Sequence, residues 1–151
     1  MSKREKSKFA VSVAAWIVRL ALGSAFLVSV ADRFGVLGPH GARNVSWGDW
    51  QHFVAYVAIL NWFVPSALAS PLAIVDTIIE SALGIALMLG LWPRLAARVA
   101  AGLLLAFAVT MTVALGIVAP VSYGVFSAFG GALLLATVSA PGSTAWSRRT
   151  I

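Results

Sequence analysis

The feature that most restricts this 151-residue chain is a series of four apolar stretches, each near the ~20 residues a helix needs to cross the hydrocarbon core of a bilayer. They run from about 9 to 31, 67 to 91, 95 to 117 and 121 to 139. Arg19 interrupts the first and Asp76 and Glu80 the second. The third has no charge after Arg98, and the fourth has none. Such stretches are incompatible with a soluble fold. Only 11% of the residues are charged, where a soluble domain devotes about a quarter to charge. A core able to hide so much apolar surface exceeds what one short domain encloses. Dense Leu, Ala, Val and aromatic residues also rule out intrinsic disorder. The expected architecture is all-α: one membrane domain over 1–151, a four-helix up-down bundle whose later helices are joined by short turns at Trp92–Arg94 and Val118–Pro120.

A signal peptide is the alternative for the first stretch, since Ser29 and Ala31 are small residues suited to a cleavage site. An apolar run of this length carrying an arginine argues for a span instead. Basic residues then set the orientation. Lys3, Arg4, Lys6 and Lys8 precede the first span, Arg94 and Arg98 flank the second turn, and Arg148 and Arg149 close the chain. With four spans all three groups fall on one side, which the positive-inside rule makes cytoplasmic. Both termini are expected inside an inner (plasma) membrane, with the 32–66 loop outside. The net charge of +6 is thereby read as a topology signal and not as a nucleic-acid surface.

The long loop opens with Asp32-Arg33-Phe34-Gly35 and then turns at Gly38-Pro39 and Gly41. An amphipathic helix is expected at about 49–63, capped by Asp49 and stopped by Pro65. Phe53, Val57, Leu60 and Val64 form its apolar stripe. Too short to span and bordered by tryptophans, it reads as an interfacial helix or a lid over the helix ends.

Chemistry is narrowly bounded. With no cysteine, disulfides, thiol catalysis, cysteine-held zinc, iron–sulfur clusters and c-type haem attachment are excluded. His40 and His52 are the only histidines, both in the loop, so bis-histidine haem in the bundle is excluded and no metal site is expected. Ser46, His52 and Asp49 could be drawn as a triad, but no nucleophile elbow surrounds them, and no catalytic residue is assigned. Gly124, Ser127, Ala128, Gly130 and Gly131 read as small residues for close helix packing. The costly residues are the intramembrane charges Arg19, Asp76 and Glu80. Asp76 and Glu80 share a helix face. They could bind a cation, relay protons or receive a polar head group, or lock the bundle by pairing with Arg19 and Arg33. Depth counting from Ala31 and Pro71 predicts a direct Arg19–Glu80 ion pair.

Arg19-x3-Gly23-x2-Phe26, Glu80-x3-Gly84-x5-Gly90 leading into Leu91-Trp92-Pro93-Arg94, and Asn61-x3-Pro65 occur in an order that resembles the DoxX family of small four-helix membrane proteins, whose relatives include DoxD and MauE. The resemblance covers about residues 12–139. It implies a membrane subunit or accessory factor of a quinone-linked oxidoreductase or redox-stress complex, not an enzyme by itself. A quinone-like or lipid-like ligand would be contacted by Arg19, Asp76, Glu80, Asn61 and His52, with a partner subunit or a homo-oligomer in the bilayer. An oligomeric small-molecule or proton-coupled transporter and a structural scaffold are the alternatives.

Overall fold

The computed structural model describes residues 2–138. Ser139 and the basic tail with Arg148 and Arg149 lie outside the described residues. Six α-helices and no strand occur within them: α1 (Lys3–Arg33), α2 (Trp50–Leu60), α3 (Ala69–Leu89), α4 (Pro93–Leu115), α5 (Val118–Ser122) and α6 (Val125–Val138). A 3-10 turn at Ser66–Leu68 leads into α3.

Local chemistry sets the ends. Ser2 and Glu5 form a capping box at the start of α1, satisfying backbone donors that the first turn leaves free. Asp49 caps α2 by accepting from the His52 amide at 2.9 Å, as its sequence suggests. Gly90 terminates α3 in the left-handed conformation, at φ 72°, where a side chain would be strained. Pro93 then opens α4 at a position where a missing N–H costs nothing.

The stretch from α1, the 3-10 turn with α3, and α4 each have a mean hydropathy of 2.0 over their most apolar windows, and these three helices are long and apolar enough to cross a membrane. Only 17%, 33% and 28% of those windows is buried within the protein. The remaining apolar surface has no aqueous use and is suited to lipid. The fourth expected span is not one continuous helix. Val118–Pro120, expected as a turn, belongs to α5, and the chain breaks at Tyr123–Gly124 before the 14-residue α6. Pro120 is buried within α5, and Gly124 at φ 68° supplies the reversal that a proline, with φ fixed near −65°, does not.

α1 packs on α3 and α6, α4 packs on α6, and α3 meets α4. Ala96, Ala97, Ala100 and Ala101 of α4 face Ala132 and Ala136 of α6 in the buried core. Small residues let backbones approach where lipid removes the usual hydrophobic drive between helices. α1 and α3 use glycine for the same end. A methyl on Gly23 would lie 2.9 Å from Met88 Cγ, and one on Gly84 would lie 2.7 Å from two Leu27 side-chain carbons. α2 buries Phe53, Val57 and Leu60 and packs against α3 and α4, but it ends at Leu60 with Asn61 as its cap, so Val64, the fourth residue of the expected stripe, lies beyond the helix and Pro65 is not what stops it.

Candidate functional site: a buried arginine between two carboxylates

The close approach at Gly23 and Gly84 fixes an antiparallel register. Arg33 comes level with Thr77, Gly23 with Gly84, and Arg19 with Gly90. Thr77 is eight residues into α3, so the last residue of α1 lies roughly 12 Å below the start of α3 at 1.5 Å per residue. The 34–49 segment and α2 close over it.

Arg33 is 1% exposed and its guanidinium is nearly saturated. Nη2 donates to Glu80 Oε2 at 2.5 Å and to Ser29 Oγ at 3.2 Å. Nη1 donates to Thr77 Oγ1 at 2.7 Å and lies 3.3 Å from Asp76 Oδ2. The Thr77 hydroxyl donates in turn to the Ala73 carbonyl at 2.8 Å. The guanidinium carbon lies 3.8 Å from the centroid of the Phe53 ring and 5.4 Å from that of Trp47, so α2 and its approach supply an aromatic roof. Nε is buried and has no hydrogen-bond partner among the described residues. One arginine thus reaches two carboxylates, which gives each buried charge a partner of opposite sign in a low-dielectric site.

Its neighbour Asp32 does the opposite task. The Asp32 carboxylate accepts from the amides of Ser46, Trp47 and Gly48 at 2.9, 3.1 and 3.3 Å. It ties the end of the loop back to the end of α1 and sets Trp47 over Arg33. Gly48 must be glycine for this closure, since its φ is 72° and a Cβ would run into the His40 backbone nitrogen.

The expected Arg19–Glu80 pair does not form. Arg19 lies beside Gly90, with a methyl at Gly90 only 2.8 Å from its Nη1, and its guanidinium carbon is 4.1 Å from the Trp16 ring centroid. Depth counting failed because it set Ala31 level with Pro71, whereas α1 stops well below the start of α3. Of the expected ligand residues, Asp76 and Glu80 meet at Arg33. Arg19, Asn61 and His52 are elsewhere. Asn61 closes α2 by donating from Nδ2 to the Val57 carbonyl at 2.9 Å. His52 is on the outer face of the loop, donating from Nδ1 to Asp49 Oδ2 at 2.8 Å and stacked on His40 at 3.6 Å. Ser29 and Thr77 escaped the sequence reading because neutral hydroxyls in an apolar helix carry no distinguishing signal; their i−4 and i+44 spacing to Arg33 is visible only in three dimensions.

Beside the cluster an apolar groove of about 370 Å³ opens between Phe34, Trp50, Ile74, Thr77 and Ile78. Phe34 and Trp50 stack at 6.0 Å along one wall. The Thr77 hydroxyl and the Trp50 indole are its polar side-chain groups, and Thr77 connects directly to Arg33. No cluster of three or more His, Cys, Asp or Glu suited to a metal occurs among the described residues.

Long lipid-suited helices around a buried ion cluster define a multi-pass helical membrane protein. The family model described as methylamine utilisation protein MauE matches residues 11–140. The chain belongs to this family, one of membrane proteins accessory to a redox system. The match is to MauE, one of the relatives named with the expected DoxX family, and not to DoxX itself. No curated protein and no solved structure matches the chain.

Proposed function

We propose that the protein is a membrane accessory subunit of a quinone-linked redox system that holds a quinone-like head group in the groove beside Arg33. The groove itself carries this reading. It is apolar, it borders the helix surface suited to lipid, and its one hydroxyl is hydrogen-bonded to a buried, carboxylate-held arginine. Apolar walls with few, placed polar groups are the usual make-up of a small-molecule site. Arg33 and Glu80 are sealed, at 1% and 3% exposure, which favours a dry slot over a hydrated transport path. The chain spans the inner (plasma) membrane four times with both termini cytoplasmic and works with a redox partner that supplies or removes electrons.

Binding of decylubiquinone to the full chain in lipid nanodiscs, followed by quenching of tryptophan fluorescence, tests the groove. Ile78→Phe, which fills it, is expected to weaken binding about tenfold, while Val113→Phe on α4 leaves it unchanged. Equal quenching of both variants, or none in the wild type, overturns the assignment.

A further inference from the structure

The chain has five carboxylate side chains, and every one is committed away from the α3–α4 turn. Glu5 accepts from the Ser2 amide at 2.6 Å. Asp32 holds the loop amides, Asp49 is paired with His52, and Asp76 and Glu80 hold Arg33. Two arginines at the turn are left without a counter-charge from any of them. Arg19 lies against Gly90, where the absent side chain leaves room for its guanidinium. Arg94 stands four residues further on, in the first turn of α4. Among the described residues the Nε of each is buried without a hydrogen-bond partner, and both residues are half-buried. Among the described residues neither is freely solvated and neither has an ion-pair partner.

The surroundings indicate which anion is at hand. The turn joins two helices long enough to cross a membrane, so it lies at a bilayer edge, the level of lipid phosphates. Trp16 and Trp92 are exposed there, at 51% and 76%, as aromatic residues commonly are at the head-group level. A guanidinium offers a planar fork of donors that fits phosphate oxygens in pairs. We propose that Arg19 and Arg94 form a binding site for the phosphate of an anionic membrane lipid, with Trp16 stacked on the Arg19 guanidinium to hold it in place. The site is at the opposite end of α3 from the groove and does not depend on the quinone reading.

The test uses the full chain, delipidated in mild detergent. Thermal stability is followed on adding phosphatidylglycerol, phosphatidylcholine or inorganic phosphate, with native mass spectrometry counting the lipids retained. Phosphatidylglycerol is expected to raise Tm and to be retained where phosphatidylcholine is not. The R19Q/R94Q double variant is expected to bind it at least tenfold more weakly, and R94Q alone, set in the turn, to show an intermediate loss. R98Q, on the exposed next turn of α4, is expected to bind as the wild type does. Unchanged phosphatidylglycerol binding in the double variant overturns the site. So does equal stabilisation by phosphatidylcholine. Stabilisation by inorganic phosphate without any preference among lipids would assign the site to a soluble anion and overturn the lipid proposal.

Discussion

Arg19 and Arg33 sit on one helix, 14 residues apart, and meet the same partner helix in opposite ways. Arg33 reaches two carboxylates and two hydroxyls and is sealed from its surroundings. Arg19 reaches a glycine and a tryptophan face and stays half-buried. The difference comes from α3, not from the arginines. Its Asp76-x3-Glu80 face comes level with the end of α1, while Gly90 comes level with the middle. A charge near a bilayer is therefore a lock or a surface feature according to the register of its neighbour. That register is set by Gly23 and Gly84, which carry no charge at all.

The largest expected effect separates the two arginines by stability. Arg33→Met leaves two buried carboxylates without their partner, which costs about 3–5 kcal/mol, while Glu80→Gln leaves Arg33 paired with Asp76 and is expected to cost less. The triple replacement Arg33→Met, Asp76→Asn, Glu80→Gln removes the charges together and is expected to recover much of that loss. Arg19→Gln breaks no ion pair and is expected to change stability by less than about 0.5 kcal/mol. Unfolding by SDS in mixed micelles measures all of these. A cost for Arg19→Gln equal to that of Arg33→Met would erase the contrast.

A smaller effect sharpens it at the glycines. Gly84→Ala drives a methyl to 2.7 Å from Leu27 and 3.2 Å from the Gly23 carbonyl. Overpacking of this kind typically costs about 1–3 kcal/mol, and here it also shifts the register that delivers Arg33 to Glu80. Gly102→Ala on α4 is the comparison, because nothing among the described residues lies within 4 Å of the added methyl. There the gain in helix propensity, about 0.5–1 kcal/mol, is left unopposed. The same unfolding assay is expected to move in opposite directions for the two, and movement in the same direction would remove the close approach as the cause.

These contrasts also mark what was legible in the sequence. The length and hydropathy of α1, α3 and α4 were legible, because crossing a bilayer needs a run of apolar residues that composition alone displays. So were the cap at Asp49, the stripe of Phe53, Val57 and Leu60, and the shared face of Asp76 and Glu80, each a matter of spacing within one helix. Which arginine met those carboxylates was not. It depends on how far α1 stops short of the start of α3, a distance set by the loop that Asp32 folds back through three amides. The interruption at Tyr123–Gly124 was hidden for a related reason: an apolar run shows a span's length but not a break within it. The groove is made of residues from α1's end, α2 and α3, and no single segment announces it.

The smallest effect lies at the start of α2, where an exposed carboxylate contrasts with the sealed ones and can be titrated. Asp49 and His52 form the solvent-exposed counterpart of the Arg33 cluster. The backbone and side-chain hydrogen bonds from His52 hold the Asp49 carboxyl below its ordinary value of 3.8. A carboxyl lowered on folding contributes stability that is fully present above its unfolded value and is lost as pH falls through the folded one. The cap of α2 is therefore expected to persist at pH 5 and to weaken only below pH 4, with no change between pH 5 and 8 from this group. The His52 amide, which donates to Asp49, reports it directly: its NMR shift is expected to titrate with a midpoint below 3.8. Asp49→Asn keeps an oxygen that caps well but cannot titrate, so the shift is expected to stay flat across the same range while α2 remains folded. A midpoint at or above the ordinary aspartate value, or an equal titration in Asp49→Asn, would mean that the exposed pair has no hold on the loop.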